Sequence, residues 1–406
     1  MPPACDTIST VTCSFEQARA AVLKEARARR KLPAIETIPS LEAAGRILAE
    51  DISTDRDYPP FPRSARDGFA VRAADLPGEF QIIGEVRAGS VFSGTVGPRQ
   101  TVEIMTGAPL PAGADAVVMV EHTTRDGESM RTDRTHQSGD NFNPRGVEAK
   151  QGTVVLTRGC RLGFSEIALL ATVGYTQVGV YKKPRVAILP TGDEIVTVAE
   201  TPEPFQIRNS NAWSMAVQAA RAGAEPVILP IARDNYESTY ALVKEGLECD
   251  MLMLSGGVSA GKYDIVEKVL ADFGAEFFFT RALIQPGQPV VFGHAQNKLF
   301  FGLPGNPAST MVTLEIFARA AIELLSGLDE PLLPLLQARL SREFKQKTGL
   351  TRFLPARISE DGATVEPLGW QGSGDVAALS RSNAFLVSEP DREHWAAGEM
   401  IRVLLK

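Results

Sequence analysis

Three loops rich in small residues are the segments of this chain best suited to bind an anion. They span residues 190–194, 255–261 and 303–307, and each follows a short apolar run that is typical of a buried strand. Glycine and serine let backbone N–H groups approach a phosphate, and the helix predicted after the second and third loops favours negative charge at its first turn. One such loop alone could be an ordinary tight turn. Three loops at one edge of a sheet predict a binding site for a phosphorylated ligand.

Carboxylates accompany the same loops. Glu194, Asp234 and Asp264 each come just after a predicted strand. Beside a phosphate they would repel the ligand unless a cation lay between them, and Mg²⁺ prefers carboxylate, water and phosphate oxygens. The residues therefore predict a magnesium site. The alternative is that Asp234 and Asp264 cap helices and that Glu194 is a surface acid.

Composition excludes several other kinds of site. The chain has 406 residues, 44% of them apolar and 22% charged, with a net charge of −7. These values predict a globular protein of two to four domains and argue against general binding to nucleic acid or to an anionic membrane. The four cysteines and four histidines are scattered and give no disulfide, zinc or catalytic-triad pattern. Without a signal sequence or an apolar run of about 18 residues, we expect a cytoplasmic protein.

The N-terminal half predicts helices on either side of a β-rich insertion. Residues 14–31 have helical spacing behind a capping box of Ser14 and Gln17, and residues 40–48 and 165–173 repeat the helical pattern. A basic cluster closes the first helix, where cations complement the helix dipole: Arg27, Arg29, Arg30 and Lys31. Residues 57–140, rich in glycine, proline and short β-branched runs, predict a small β domain.

Strands and helices alternate strictly from residue 183 onward. Predicted strands cover residues 186–189, 227–231, 251–254, 276–280 and 299–302, and predicted helices cover 212–222, 236–247 and 264–273. Such alternation predicts a doubly wound, mainly parallel sheet that binds ligands at the carboxyl ends of its strands. After residue 327 the helical signal stops, and short strands such as 352–358 and 364–367 predict a small β domain. The predicted domains are a discontinuous linking, dimerising domain (1–57 and 141–182), an inserted β-rich domain (58–140), an α/β ligand-binding domain (183–327) and a C-terminal β domain (328–406).

Six strings in order along the chain resemble the molybdopterin molybdenumtransferase family, which includes bacterial MoeA and the E domain of gephyrin-like proteins. They are SARDGFA (64–70), MTGAPLPAGADAVV (105–118), PTGDE (190–194), IRNSN (207–211), SGGVSAGKYD (255–264) and LPGNPAS (303–309). The resemblance implies insertion of molybdenum from molybdate into adenylylated molybdopterin, with release of AMP and dependence on a divalent cation. It also implies a homodimer whose active site is shared between subunits, and it makes a molybdopterin adenylyltransferase and recipient molybdoenzymes possible partners.

The resemblance also implies roles for individual residues. Asp67, with Thr106, would approach the site from the second subunit, and Glu194, Asp234 and Asp264 would hold Mg²⁺ or orient the adenylyl phosphate. The expected catalytic residues are Asp67, Glu148, Glu194, Asp234 and Asp264. The expected substrate contacts are Thr106, Thr191, Gly192, Ser255, Gly256, Gly257, Ser259, Gly261, Arg281, Gln285, Gln288, Pro304, Gly305, Asn306, Ser309, Arg352 and Ser373.

The chain departs from the family pattern at the expected molybdate site. Where the family usually has Lys-Pro-Gly-Lys-Pro, residues 285–289 read Gln-Pro-Gly-Gln-Pro, so two cations are missing. Asn143 and Glu148 also stand where Arg and Asp are common. One cation about 4 Å from an anion contributes up to roughly 4 kcal/mol at an effective dielectric near 20, while glutamine still offers amide donors. We therefore expect weaker molybdate capture or a changed oxyanion preference, such as tungstate.

Two other functions remain open at this point. Adenylyl transfer to molybdopterin is one, because the adenylyltransferase uses a related α/β domain with similar loops. A pterin-binding or scaffolding protein that has lost molybdate chemistry is the other.

Overall fold

The first helix forms as the capping box predicts. The computed structural model describes residues 11–256 and 265–406. Helix α1 (Phe15–Arg29) begins after Ser14, and both hydrogen bonds of the Ser14–Gln17 capping box are present. Its buried face, Phe15, Ala18, Val22 and Ala26, packs into the same core as the α/β sheet. The ring of Phe15 lies 5.2 Å from that of Phe353, so α1 joins the two halves of the chain.

The helix predicted over residues 40–48 is wrong. Only a 3-10 turn, Ser40–Glu42, forms there. Gly45 has a φ of +79°, which ends any helix, and Ile47 and Leu48 instead make β-bridges to Arg161 and Val180. The two parts of the predicted linking domain come together through paired strands, Ile35–Pro39 with Gln177–Tyr181 and Ile52–Ser53 with Val154–Leu156. Helix α2 (Phe164–Thr172) lies where a helix is predicted.

The β-rich segment forms a sheet of six strands, as its composition predicts. In spatial order these are Ala116–Met119, Gly68–Val71, Gln100–Ile104, Gly78–Val86, Ser129–Thr132 and Thr124–Asp126. Apolar side chains from both faces are buried in two small cores. The segments that lead into and out of this sheet pair with each other, Arg63–Ser64 with Phe142–Asn143. The loops of SARDGFA and MTGAPLP are thereby fixed beside each other.

The α/β region is a doubly wound, mainly parallel sheet. In spatial order its strands are Glu225–Ile228, Arg185–Pro190, Met251–Ser255, Lys298–Leu303, Val291–Ala295 and Glu276–Phe279. The first four are parallel. Val291–Ala295 runs antiparallel to both of its neighbours, because a two-residue turn, Gln296–Asn297 with positive φ at both residues, joins it to Lys298–Leu303 as a hairpin. Glu276–Phe279, at the edge, therefore runs in the same direction as the first four. A short parallel pair, Ile195–Val196 with Ile207–Arg208, follows the first loop.

Helices cover both faces of this sheet. Helices α3 (Ser210–Ala222) and α4 (Tyr236–Gly246) match their predicted positions, and α5 is described over Ile265–Asp272. Helix α6 (Pro307–Thr313) continues through a π-helical turn, Leu314–Ala318, into α7 (Arg319–Leu325). Helices α4 and α5 bury one face of the sheet, while α1, α3, α6 and α7 bury the other.

The C-terminal region is a closed β structure, and one short strand from the α/β region pairs with its edge. Its ring consists of Thr351–Ile358, Thr364–Pro367, Leu335–Leu340, Met400–Leu405 and Ala384–Ser388, and Ile284–Gln285 adds to its edge beside Thr351–Ile358. A second pair joins Phe344–Lys345 to His394–Trp395. The expectation that no helix follows residue 327 is wrong, because Asp375 caps a short helix α8 (Val376–Arg381). Within the described residues, no helix is both long and apolar enough to span a membrane.

Candidate active site

Two of the glycine-rich loops and the described start of the third meet at the carboxyl ends of the parallel strands. The Thr191 N–H donates to the carbonyl oxygen of Ser255 at 3.1 Å, and the Gly256 N–H donates to that of Leu303 at 3.2 Å. Gly256 has a φ of +96°, and a Cβ there would lie 2.8 Å from the Thr191 carbonyl oxygen. Only glycine fits so close an approach. The strand order thus brings Thr191, Ser255 and Gly305 into one site.

Asn211 joins these loops, although the sequence interpretation did not select it. Its side-chain amide donates to Ser255 Oγ at 2.8 Å and to the Gly305 carbonyl oxygen at 2.7 Å. Asn209 caps α3 by accepting from the Ala212 N–H, and this cap places Asn211 in the first helical turn, facing the loops. The signal was present in the IRNSN string, where two asparagines precede an apolar-periodic segment.

The acidic residues form a second part of the site. The Asp234 N–H donates to the Asp193 carboxylate at 3.1 Å, and the Asp193 N–H contacts the Asp234 carboxylate at 3.4 Å. A Cβ on Gly192 would lie 2.6 Å from a Glu194 carboxylate oxygen, which places that carboxylate against the loop. These reciprocal bonds hold the loop of Glu194 beside that of Asp234. Sequence reasoning missed the joining role of Asp193.

Asp234 is not a helix cap. Asn235 caps α4, with its side chain accepting from the Ser238 N–H at 2.9 Å, so the capping alternative for Asp234 is wrong. Both Glu194 and Asp234 are exposed at the mouth of the site. Magnesium keeps several waters and commonly needs only one or two protein carboxylates beside phosphate oxygens, so these residues fit the ion. In the part of the chain that the structure describes, no group of three His, Cys, Asp or Glu side chains could hold a metal.

Four predicted residues fall outside the described segments. They are Gly257, Ser259, Gly261 and Asp264. Their assignments remain predictions.

A cleft of about 600 Å³ lies between the α/β region and the C-terminal β structure. Seven of the predicted substrate contacts line it: Gln285, Gln288, Pro304, Asn306, Ser309, Arg352 and Ser373. The carbonyl oxygen of Ser373 accepts from the Ala308 N–H at 2.9 Å, which ties the C-terminal loop to the first turn of α6. Trp370 and Leu350 add apolar walls that the sequence interpretation missed. The cleft therefore combines a helix N-terminus with side chains from two domains.

Arg352 is a buried cation without an acidic partner among the described residues. Only 8% of it is exposed, and its described hydrogen bonds go to the Gln285 side chain and to the main-chain oxygens of Lys347 and Leu350. Burial lowers the pKa of Arg352, because the charged guanidinium has lost water. No carboxylate lines the described cleft. An anion bound there would compensate this charge.

Each of the two glutamines that stand in place of the family lysines accepts a hydrogen bond from an arginine. Arg352 Nε donates to Gln285 Oε1 at 2.6 Å, and an Arg281 guanidinium nitrogen donates to Gln288 Oε1 at 2.9 Å. The amide nitrogens of both glutamines are left to donate elsewhere. Two arginines, both already among the expected substrate contacts, thus keep positive charge beside the positions of the two missing lysines.

A separate cluster surrounds Asp67. The Thr106 N–H donates to the Asp67 carboxylate at 2.6 Å. This bond lowers the pKa of Asp67, and a second hydrogen bond from the Thr106 hydroxyl lowers it further. Glu148 forms an ion pair with Arg63 at 2.5 Å, and Arg63 lies in the strand pair that precedes the Asp67 loop. Among the described residues, no hydrogen bond or ion pair joins this cluster to the loops of the α/β site. The structure therefore brings Asp67 and Thr106 together and pairs Glu148 with Arg63, while no described contact joins any of them to Glu194 or Asp234 within one chain.

Known protein families match the N-terminal, α/β and C-terminal regions of this chain. Three family models match in order: the MoeA N-terminal region (domain I and II) over residues 13–174, a probable molybdopterin binding domain over 187–324, and the MoeA C-terminal region (domain IV) over 337–406. A relative from Bacillus subtilis named molybdopterin molybdenumtransferase is 38% identical over 374 residues, which cover 89% of this chain and 87% of the relative. The chain belongs to the molybdopterin molybdenumtransferase family.

Other members agree with this assignment. A Staphylococcus aureus protein with the same name is 35% identical over 384 residues, covering 92% of this chain and 91% of that protein. The crystal structure of a molybdopterin biosynthesis MoeA protein from Pyrococcus horikoshii OT3 superposes with a TM-score of 0.79 at 27% identity, covering 98% of this chain and 100% of that one. The multidomain α/β and β architecture predicted from the sequence is confirmed.

Proposed function

We propose that this protein is a molybdopterin molybdotransferase that inserts molybdenum from molybdate into adenylylated molybdopterin and releases AMP. The observation that carries the proposal is the cleft around Arg352. There a buried cation, which has no acidic partner in the described segments, faces hydroxyl and amide donors at a helix N-terminus. Family membership supplies the substrate class. The cleft opens beside the loops of Thr191, Ser255 and Gly305, so an oxyanion and a phosphorylated pterin would lie next to each other.

Different residues of the α/β site would bind the phosphate, the oxyanion and the metal ion. Backbone N–H groups of the glycine-rich loops would hold the phosphate of molybdopterin, with Asn211 fixing their separation. Arg352, Arg281 and the amides of Gln285 and Gln288 would hold the oxyanion. Glu194 and Asp234 would hold Mg²⁺, which supplies charge neutralisation at the adenylyl phosphate.

A homodimer with a shared site explains the position of Asp67. Within one chain the Asp67 cluster makes no described contact with the α/β site, yet its carboxylate is fixed by Thr106 and kept ionised. We infer that Asp67 of one subunit completes the site of the other. A C2 dimer would contain two such sites.

Adenylyl transfer is not favoured, because the family matches include residues 13–174 and 337–406, which flank the domain that the two enzyme types share. A non-catalytic pterin-binding role is likewise not favoured by relatives named as transferases over most of the chain. A cytoplasmic location remains a prediction.

The test is AMP release from adenylylated molybdopterin with molybdate and Mg²⁺. We expect release that depends on both, that stops with EDTA and that returns with added Mg²⁺. Pyrophosphate release from molybdopterin and ATP would instead support the adenylyltransferase. Glu194→Gln and Asp234→Asn should each lower AMP release at least tenfold; normal turnover by either variant would remove the role given to that residue.

Mixing two inactive variants tests the shared site. After dissociation and random reassociation of Asp67→Asn with Glu194→Gln, half of the dimers are hybrids, each with one intact site. We therefore expect recovery of about a quarter of wild-type activity. No recovery, with hybrids detected by mass, would place both residues in one subunit's site or outside it.

A further inference from the structure

A basic groove lies at the edge of the α/β sheet opposite the candidate active site. It consists of two adjoining clefts of about 680 and 240 Å³ that share Arg30 and Leu32. Arg185, Asp250 and Lys298 line it at the amino ends of parallel strands whose carboxyl ends carry the active-site loops. A strand of five or six residues spans about 17–20 Å, so the groove is separate from the active site.

Positive charge in this groove greatly exceeds negative charge. Nine cationic residues line it: Arg27, Arg29, Arg30, Lys31, Arg158, Lys182, Lys183, Arg185 and Lys298. Three of them are paired, Arg29 with Glu25, Arg30 with Asp329 and Lys298 with Asp250. The other six make no ion pair within the described segments. The whole chain has a net charge of −7, so a groove with this many unpaired cations is opposite in sign to the protein as a whole.

The helix dipole explains only part of this charge. Arg27 and Arg29 do lie in the last turn of α1, as the sequence interpretation expects. Lys182, Lys183 and Arg158, however, come from distant segments and belong to no helix end. Tertiary structure has gathered cations from four separate stretches of chain along one groove. Such convergence indicates a binding surface.

We propose that the groove binds an acidic, partly apolar segment of a partner protein. Apolar groups interrupt the charges, among them Leu32, which is 49% exposed, together with Pro33 and Leu325. Carboxylates of a bound peptide would meet the unpaired cations while its apolar side chains cover these groups.

Other anions fit less well. The groove extends over two clefts, farther than one phosphate group reaches. Nucleic acid would find no exposed aromatic ring for base stacking among the lining residues, since the only one, Tyr181, is 6% exposed.

Fluorescence anisotropy with the full-length protein tests the proposal. The probe is a labelled peptide of three Glu-Leu-Asp-Glu repeats. The competitors are the same peptide unlabelled, its variant with serine for leucine, a single-stranded oligonucleotide, and ATP. We expect the leucine peptide to compete best and its binding to weaken as salt rises, because exposed ion pairs are screened. Tighter binding of the oligonucleotide or of ATP would overturn the proposal.

Charge reversal locates the binding. Lys182→Glu with Lys183→Glu should weaken peptide binding at least tenfold, and Arg27→Glu with Arg158→Glu should act in the same direction from the smaller cleft. The matched control reverses two exposed cations elsewhere, Arg131→Glu with Lys244→Glu, and should change binding less than twofold.

Two further measurements separate peptide binding in the groove from non-specific attraction and from self-association. AMP release and the thermal midpoint should stay unchanged in the groove variants, because the groove is remote from the active site. Equal loss of binding in the control variant would mean non-specific attraction. A changed oligomeric mass by light scattering in the groove variants would mean that a second copy of this chain occupies the groove; either result overturns the proposal.

Discussion

Arg352 donates through Nε to the side-chain oxygen of Gln285 at 2.6 Å, between adjacent strands of the C-terminal sheet. The same two residues are backbone neighbours, because Ile284–Gln285 pairs in parallel with the start of Thr351–Ile358. The residue that replaces a family lysine thus orients a buried cation. We propose that oxyanion binding depends on this pair together with Arg281 and Gln288.

Restoring both lysines should strengthen oxyanion binding at a cost in stability. In Gln285→Lys with Gln288→Lys, each ammonium adds attraction for molybdate but loses the acceptor that holds an arginine and repels its guanidinium. We expect the half-saturating molybdate concentration to fall about tenfold and the unliganded protein to lose about 1 kcal/mol of stability, recovered when molybdate is added. AMP release and thermal denaturation measure the two effects. Gln371→Lys, an exposed change outside the cleft, is the control; an unchanged molybdate requirement in the double variant would contradict this site.

Removing the Asn211 side chain should separate the active-site loops. Asn211→Ala loses two hydrogen bonds, and we expect about 1–2 kcal/mol lower stability and at least tenfold weaker binding of molybdopterin. Asn211→Asp should be worse, because a carboxylate cannot donate to the Gly305 carbonyl oxygen. Ser214→Ala, in the same helix turn, is the control. Calorimetric titration with molybdopterin decides the matter, and wild-type affinity in Asn211→Ala would remove this role.

Gly256 and Gly305 should respond differently to alanine. Gly256→Ala imposes a positive φ on alanine and a clash with the Thr191 carbonyl oxygen, so we expect about 2 kcal/mol or more of destabilisation. A Cβ at Gly305 would meet only the Cα of Gly256 at 3.7 Å, an ordinary contact, so Gly305→Ala should fold normally. Both variants should bind molybdopterin weakly, because each adds a methyl group to the cradle. Equal denaturation midpoints would show that the loops do not pack as described.

The bond from Thr106 to Asp67 predicts a pH dependence confined to acid. Because this bond lowers the pKa of Asp67 in the folded state, its stabilising effect is complete above the unfolded value of roughly 3.9 and is lost as pH falls through the lower folded value. The difference in denaturation midpoint between wild type and Asp67→Asn should be constant above about pH 5 and shrink below about pH 4. Asp133→Asn, at a side chain 95% exposed, is the control. A difference that changes between pH 6 and 8 would rule out this explanation.

The sequence by itself determined the local elements and the kinds of residue in the site. The Ser14–Gln17 capping box set the start of α1, alternating periodicity set the strands and helices of the doubly wound sheet, and small residues after strand ends marked the loops of Thr191, Ser255 and Gly305. These signals are readable because capping and periodicity act over a few neighbouring residues.

Only the tertiary structure decided which distant residues meet. The pairing of Gln285 with Arg352, the position of Asn211 between two loops and the gathering of Lys182, Lys183 and Arg158 beside α1 each depend on sheet register and domain packing. The failure of the helix predicted over residues 40–48 has the same origin, since bridges to Arg161 and Val180 outweighed a weak local preference. Contacts between residues far apart in sequence leave no periodic pattern, so the chain reveals them only when folded.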